Sequence, residues 1–151
     1  MSPNCRIGFD LGRTIVVGEN GVKVALPDSI AVITRLVKAC DGQGFIISKV
    51  TPVQELRAKK WLQNTDFYAT TGISPEHVHF CAERADKAPI AQRLGLTHFI
   101  DDRPEVLAHM ENIVRYRILF QGNENDFIAH RVKLLDIYRA QSWREIEKLL
   151  F

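Results

Sequence analysis

Residues 8–15 read GFDLGRTI, an apolar run that stops on an aspartate and gives way to a glycine-bearing turn. The run from Cys5 to Phe9 is too short for a helix. It reads as a buried strand with Asp10 at its carboxyl end. Working outward, TIVVGENGVKVAL holds two β-rich stretches around Glu19-Asn20-Gly21. Asn-Gly accommodates positive φ, so these stretches form a hairpin. Pro27 and Asp28 open a helix with Ile30, Ile33 and Val37 on one face, closing before Asp41-Gly42. GFIIS is the next strand, and Thr51-Pro52-Val53-Gln54 is a capping box with proline at the first helical position. That helix carries Val53, Leu56, Trp61 and Leu62.

HVHFC is a further strand, Asp86 caps a helix through Lys87, Ile90 and Leu94, and Gly95 stops it. THFI ends at Asp101-Asp102, Pro104 opens another helix, and YRILFQ is the final strand before Gly122. The alternation predicts an α/β fold, a Rossmann-like three-layer sandwich around a mostly parallel sheet. One domain over residues 1–151 is expected, with a core of about 5–122 and a helical tail, 123–151, packed on it. In that tail Ser142-Trp143-Arg144-Glu145 reads as a second capping box, and the tail is assigned no chemistry.

Composition excludes several classes. With 46% hydrophobic and 25% charged residues the chain is an ordinary globular one. A net charge of +2, with no segment concentrating Lys and Arg, is no nucleic-acid signature. Nothing is long and apolar enough to span a membrane. Cys5, Cys40 and Cys81 lie far apart beside apolar runs, without zinc-ligand spacing. An odd count and no signal peptide point to a reducing compartment, buried thiols and a cytoplasmic location.

Ligands of open α/β sheets gather beyond the carboxyl ends of the strands. Asp10, Ser48, Lys87 and the pair Asp101-Asp102 all fall at strand ends or helix starts. Acids from two strand ends hold a hard cation through oxygen, and a lysine and a hydroxyl suit the remaining oxygens of a phosphate. The chemistry implied is phosphoryl transfer to a carboxylate beside a metal ion. Each residue has a plainer reading: Asp10 as a turn aspartate, Ser48 as a strand terminus, Lys87 as a solvated first-turn lysine, Asp101-Asp102 as a helix cap. Arg103 reads as a surface arginine, with contact to substrate as the alternative, His77, His79 and His98 as structural, and Trp61 and Trp143 as packing anchors.

Taken together these residues resemble the haloacid dehalogenase-like superfamily. GFDLGRTI is similar to its first motif, with Asp10 as nucleophile and Thr14 four residues on. FIIS resembles the second motif, whose hydroxyl, here Ser48, bonds the phosphoryl group. Lys87 resembles the third-motif lysine and HFIDD the fourth motif, whose acids bind Mg²⁺. The resemblance covers roughly the first four-fifths of the chain, with the motifs in family order. It implies a Mg²⁺-dependent phosphatase with Asp10, Ser48 and Lys87 catalytic and Ser48, Lys87 and Thr14 holding phosphate. Its metal ligands would be Asp10, the Gly12 carbonyl, Asp101 and Asp102.

The chain departs from the family at Gly12, where phosphatases carry a second aspartate as general acid and base. Glycine keeps the carbonyl and loses the proton donor, and Arg13 does not release its proton near neutral pH. The flap position holds only the hairpin, and Thr51 to Glu76 holds one helix and a connecting loop, so no sizeable cap is expected. An uncapped site suits a large phosphorylated substrate, a phosphoprotein or a nucleic-acid end, or a second copy of the chain that closes it. The leading expectation is a slow phosphohydrolase or phosphotransferase. The alternative is a degenerate relative that binds metal, phosphate or a protein without turnover. A receiver domain would carry its acid pair at the first strand instead, and a dehalogenase would carry a substantial cap.

Overall fold

Eight strands are found among the described residues of the computed structural model, which are 1–19 and 22–151, Glu19 by its backbone alone. The Asn20-Gly21 turn expected at the hairpin tip lies outside them. In chain order the strands are β1 (Ile7–Phe9), β2 (Val16–Glu19), β3 (Val22–Ala25), β4 (Gly44–Lys49), β5 (Val78–Cys81), β6 (His98–Asp101), β7 (Tyr116–Phe120) and β8 (Tyr138–Ala140). The helices are α1 (Ser29–Ala39), α2 (Pro52–Asn64), α3 (Phe67–Thr71), α4 (Lys87–Leu94), α5 (Pro104–His109), α6 (Glu124–Ala129) and α7 (Trp143–Leu150).

Strands β5-β4-β1-β6-β7-β8 form one sheet in that order, every neighbour parallel, and β2 and β3 pair antiparallel as a separate ribbon. The two faces of the sheet read directly from alternation along each strand. Ile46, Ile100 and Ile118 face a core shared with α1, α2, α3 and α7. Phe45, Ile47, Phe99 and Leu119 face the other, shared with α4 and α5. This is the α/β three-layer, Rossmann-like arrangement. Gly8 makes it possible at the centre: a Cβ there would lie 2.5 Å from Leu96 and 2.7 Å from Phe99.

Beyond β7 the structure differs from the helical pattern read in the sequence. Residues 138–140 pair in parallel with β7 and carry the sheet one strand further. The second capping box is half made: Ser142 accepts from the Glu145 N–H, but the Glu145 carboxylate takes the Gln141 N–H instead. Likewise Asp86 accepts from the Glu83 N–H, capping a single turn at Arg84–Asp86 rather than α4. The supposed loop after α2 contains α3, whose Phe67 is buried in the core.

The cysteines also depart from expectation. Cys5 and Cys40, both buried, form a disulfide joining the chain just before β1 to the end of α1. Only Cys81 keeps a free thiol. Among the described residues no helix is long and apolar enough to cross a membrane.

Candidate functional site

The order in which strands are added to the sheet reverses at β1: β4 and β5 lie to one side, β6 onward to the other. Loops leaving neighbouring strands at such a point part and open a crevice at their carboxyl ends. Asp10 ends β1 there, its N–H continuing the ladder onto Ile100 O at 2.9 Å. Asp101 ends β6, with Asp102 next to it. Carboxylate oxygens of Asp10, Asp101 and Asp102 lie within 4.8 Å of one another.

Such crowding of like charges needs a counter-charge. Lys87, 3% exposed, supplies it from the first turn of α4. Its Nζ donates to Asp10 Oδ1 and to Asp101 Oδ2, each at 2.8 Å. A cation at a helix N-terminus opposes the helix dipole, so only the two carboxylates explain its position. Burial pulls the Lys87 ammonium towards neutrality, but Asp101 and Asp10 outweigh it and its pKa stands above the ordinary lysine value. Burial, and then the charge of Asp10, push Asp101 up to about 6 against the pull of Lys87. Burial and the charges of Asp10 and Asp101 push Asp102 up to about 8. Carboxylates crowded in this way ionise more readily once further positive charge is placed beside them.

The loop that follows β1 is tied to the same carboxylates. Thr14 Oγ1 donates to Asp10 Oδ2 at 3.0 Å, and the Ile15 N–H closes a turn on Leu11 O at 2.9 Å. Asp101 Oδ1 accepts the Arg103 N–H at 2.9 Å, which sets the start of α5.

A cavity of about 230 Å³ opens over this cluster, lined by Asp10, Gly12, Ser48, Lys87 and Asp102. Asp101 lies behind it, fully buried. All seven residues picked out in the sequence therefore converge. Residues that the sequence reading passed over share the lining: Lys23 from β3, Lys49, Gln54 from α2, and Arg84. No local pattern marks them, because each reaches the cavity only through the packing of a different element. Arg103, read as a surface arginine, lines it too. His77 and His98 are packing groups: His77 stacks on Phe45 and His98 on Tyr116.

No protein-family model matches the chain, and no curated protein matches it. Solved structures do share its architecture. D,D-heptose 1,7-bisphosphate phosphatase from B. bronchiseptica, crystallised with magnesium and phosphate, matches with a TM-score of 0.63 at 14% identity, over 97% of each chain. The enzyme of the same name from Burkholderia thailandensis matches with a TM-score of 0.55 at 15% identity, over 94% of this chain and 96% of that one. At such identities the likeness is one of fold, and the fold is what this chain shares with both.

Proposed function

We propose that the protein is a Mg²⁺-dependent phosphohydrolase or phosphotransferase that works through an aspartyl-phosphate on Asp10. The observation that carries this is the pair of hydrogen bonds that buried Lys87 donates to Asp10 and Asp101, beside a third carboxylate, at the mouth of a cavity. The three carboxylates fit a hard cation by donor type and spacing, and the magnesium and phosphate in the B. bronchiseptica enzyme agree with that reading. Asp10, Asp101, Asp102 and the Gly12 carbonyl would hold Mg²⁺, which would neutralise charge between nucleophile and phosphate.

The rest falls to the chain. An Asp10 carboxylate oxygen attacks phosphorus and forms the acyl-phosphate bond while the bond to the leaving oxygen breaks. Ser48 and Lys87 hold the phosphoryl oxygens; Thr14, expected to share that role, is fully buried and donates to the Asp10 carboxylate instead, fixing its orientation. The leaving oxygen takes its proton from water, since Gly12 offers none, and water then cleaves the acyl phosphate. Both steps are slow for that reason. The substrate is a phosphorylated molecule. The uncapped mouth leaves room for a phosphoprotein, a nucleic-acid end, or closure by a second copy of the chain.

The second reading, a relative that binds metal and phosphate without turnover, is favoured by Gly12. Among the described residues the cavity lining offers no carboxyl besides Asp10 and Asp102. Incubation with an aryl phosphate and Mg²⁺, followed by mass spectrometry of the peptide containing Asp10, decides between them. Phosphate released by wild type and not by Asp10→Asn, with phosphoryl mass on that peptide, supports the enzyme. Mg²⁺ and phosphate binding with neither signal supports the second reading.

A further inference from the structure

The phosphate cavity has an apolar neighbour. A second cavity, of about 370 Å³, meets it at Lys23, which lines both. The first is ringed by charge, with Arg13, Lys49, Arg84 and Arg103 around the carboxylates. The second is walled by Val24 and Ala25 of β3, Ile30 of α1, Trp61 of α2 and Phe67 of α3. Among the described residues Lys23 is the one charged group on that lining. A lysine suits such a junction, because its stem covers apolar surface while its ammonium serves an anion.

Helix α2 runs along both cavities. Gln54 and Ala58 line the phosphate end, and Trp61 and Thr65 line the apolar end. These four follow one another at steps of four, three and four residues, which places them on one stripe of the helix. From Ala58 to Thr65 the stripe is about 10 Å long. The two cavities are therefore the two ends of one groove between α2 and β3. Trp61 is half-buried in its wall: it packs on the core and on Phe67, ring centres 5.7 Å apart, and turns the rest of its surface to the groove. An apolar group that displaces water from such walls binds favourably.

We infer that the leaving group of the substrate is apolar, an alkyl chain or aryl ring lying along α2 onto Trp61 while its phosphate sits on Asp10. This rests on the phosphatase-type site proposed above and narrows its substrates to small amphipathic phosphomonoesters. A polyhydroxylated leaving group would find few side-chain partners beyond Lys23. Thr65 and Thr70 are exposed, and the Thr65 hydroxyl already donates to Trp61 O at 2.7 Å. Hydroxyls buried on such walls without partners cost binding energy.

Calorimetric titration of the Asp10→Asn protein in Mg²⁺ tests this without turnover. The probes are ethyl, butyl and hexyl phosphate, 4-phenylbutyl phosphate and ribose 5-phosphate. Affinity is expected to rise about two- to fourfold for each methylene that leaves water, which puts hexyl phosphate at least about tenfold above ethyl phosphate. The order of hexyl and 4-phenylbutyl phosphate then tells a chain from a ring. Trp61→Ala and Ala25→Glu should each cut that rise at least about threefold and leave ethyl phosphate alone. Leu56→Gln, on the exposed face of α2, should keep it. Thermal melts establish that the variants are folded, and Ala25→Glu, which removes no buried ring, carries the test where Trp61→Ala is not. Equal affinity along the alkyl series, a rise that survives both groove variants, or tightest binding of ribose 5-phosphate would each overturn the inference and leave the phosphate site standing. A dimer in sedimentation that Ala25→Glu dissociates would do the same, by giving the groove to a second copy of the chain. Binding of none of the esters would overturn the site and the inference with it.

Discussion

The indole N–H of Trp143 donates to the backbone carbonyl of Thr14 at 2.8 Å, across 129 positions of sequence. Trp143 is 1% exposed and packs between Phe9 of β1 and Phe120 of β7. The C-terminal helix therefore reaches under the loop that carries Asp10, Gly12 and Thr14. A segment assigned no chemistry holds the backbone on which the chemistry would run.

Replacing Trp143 by Phe keeps most of the packing and strands the Thr14 carbonyl. An unsatisfied buried acceptor costs about 1–3 kcal/mol. For a chain of this length that lowers the melting temperature by roughly 2–12 °C. Mg²⁺ affinity, measured by calorimetry, should weaken as well, because the loop leaves its position. Ile146→Ala on the same helix removes buried packing without touching the loop, so it should destabilise yet leave Mg²⁺ affinity alone. Equal losses in both variants would mean that the helix acts through stability only.

The Cys5–Cys40 disulfide makes a separate prediction. It closes a loop with a sequence separation of 35, for which chain entropy gives a stabilisation of about 3–4 kcal/mol. Reducing agent, or the Cys5→Ala/Cys40→Ala variant, should lower the melting temperature accordingly. Mg²⁺ affinity should not change, since Cys5 precedes β1 whereas the carboxylates lie at its far end. A melting curve indifferent to reductant would restore the reading of these cysteines as thiols.

What the sequence made legible follows from where its signals are local. Asp10, Ser48 and Asp101 each interrupt an apolar run, and a strand that ends on a polar residue in a parallel sheet points it at the ligand crevice. Arg13, Arg84 and Arg103 interrupt nothing, so a solvated arginine and a cavity arginine look alike. Tyr138–Ala140 is too short to show a period of two, and its exposed Tyr138 hides its pairing with β7. The disulfide needs the start of β1 to meet the end of α1, which only the completed fold provides. Trp143 was legible as an anchor, but its partner lies in a loop that no helical pattern could name.

The carboxylate cluster sets the pH dependence. Asp101 and Asp102, displaced up to about 6 and about 8 from an ordinary 3.8, hold protons in the folded metal-free protein that the unfolded chain releases. Their stabilisation is complete below the unfolded value and is lost as pH rises through the folded ones. His98, pushed down to about 4 by burial and then by the N-terminal amine, works the other way up to the ordinary value of 6.5. Above that pH only the acids remain. The melting temperature in EDTA should therefore fall between pH 6.5 and 8.5, and Mg²⁺, which binds the ionised carboxylates, should stabilise more at the upper end. A Mg²⁺-induced shift that shrinks with rising pH would contradict the cluster as the metal site.

Gly12 separates a slow enzyme from a protein that only binds, and the structure removes the main obstacle to testing it. A Cβ added there meets no atom within 4 Å, and its φ lies outside the left-handed region that favours glycine. Gly12→Asp should fold with a melting temperature close to wild type, apart from added repulsion by the neighbouring carboxylates that Mg²⁺ relieves. The new carboxyl lies in the cavity lining beside Asp10, where it can protonate a leaving oxygen and later activate water. General acid–base assistance is worth about 10²–10⁴-fold, and an alkoxide needs the proton far more than an aryl oxide does. The gain in kcat should thus be large on an alkyl phosphate and small in the first step on an aryl phosphate. Wild type on the aryl ester should show a burst of phenol and then a slow steady state, limited by cleavage of the acyl phosphate; Gly12→Asp should lose the burst as that step accelerates. A folded Gly12→Asp protein that binds Mg²⁺ as wild type does, and gains on neither ester, would favour the reading of a protein that binds without turnover.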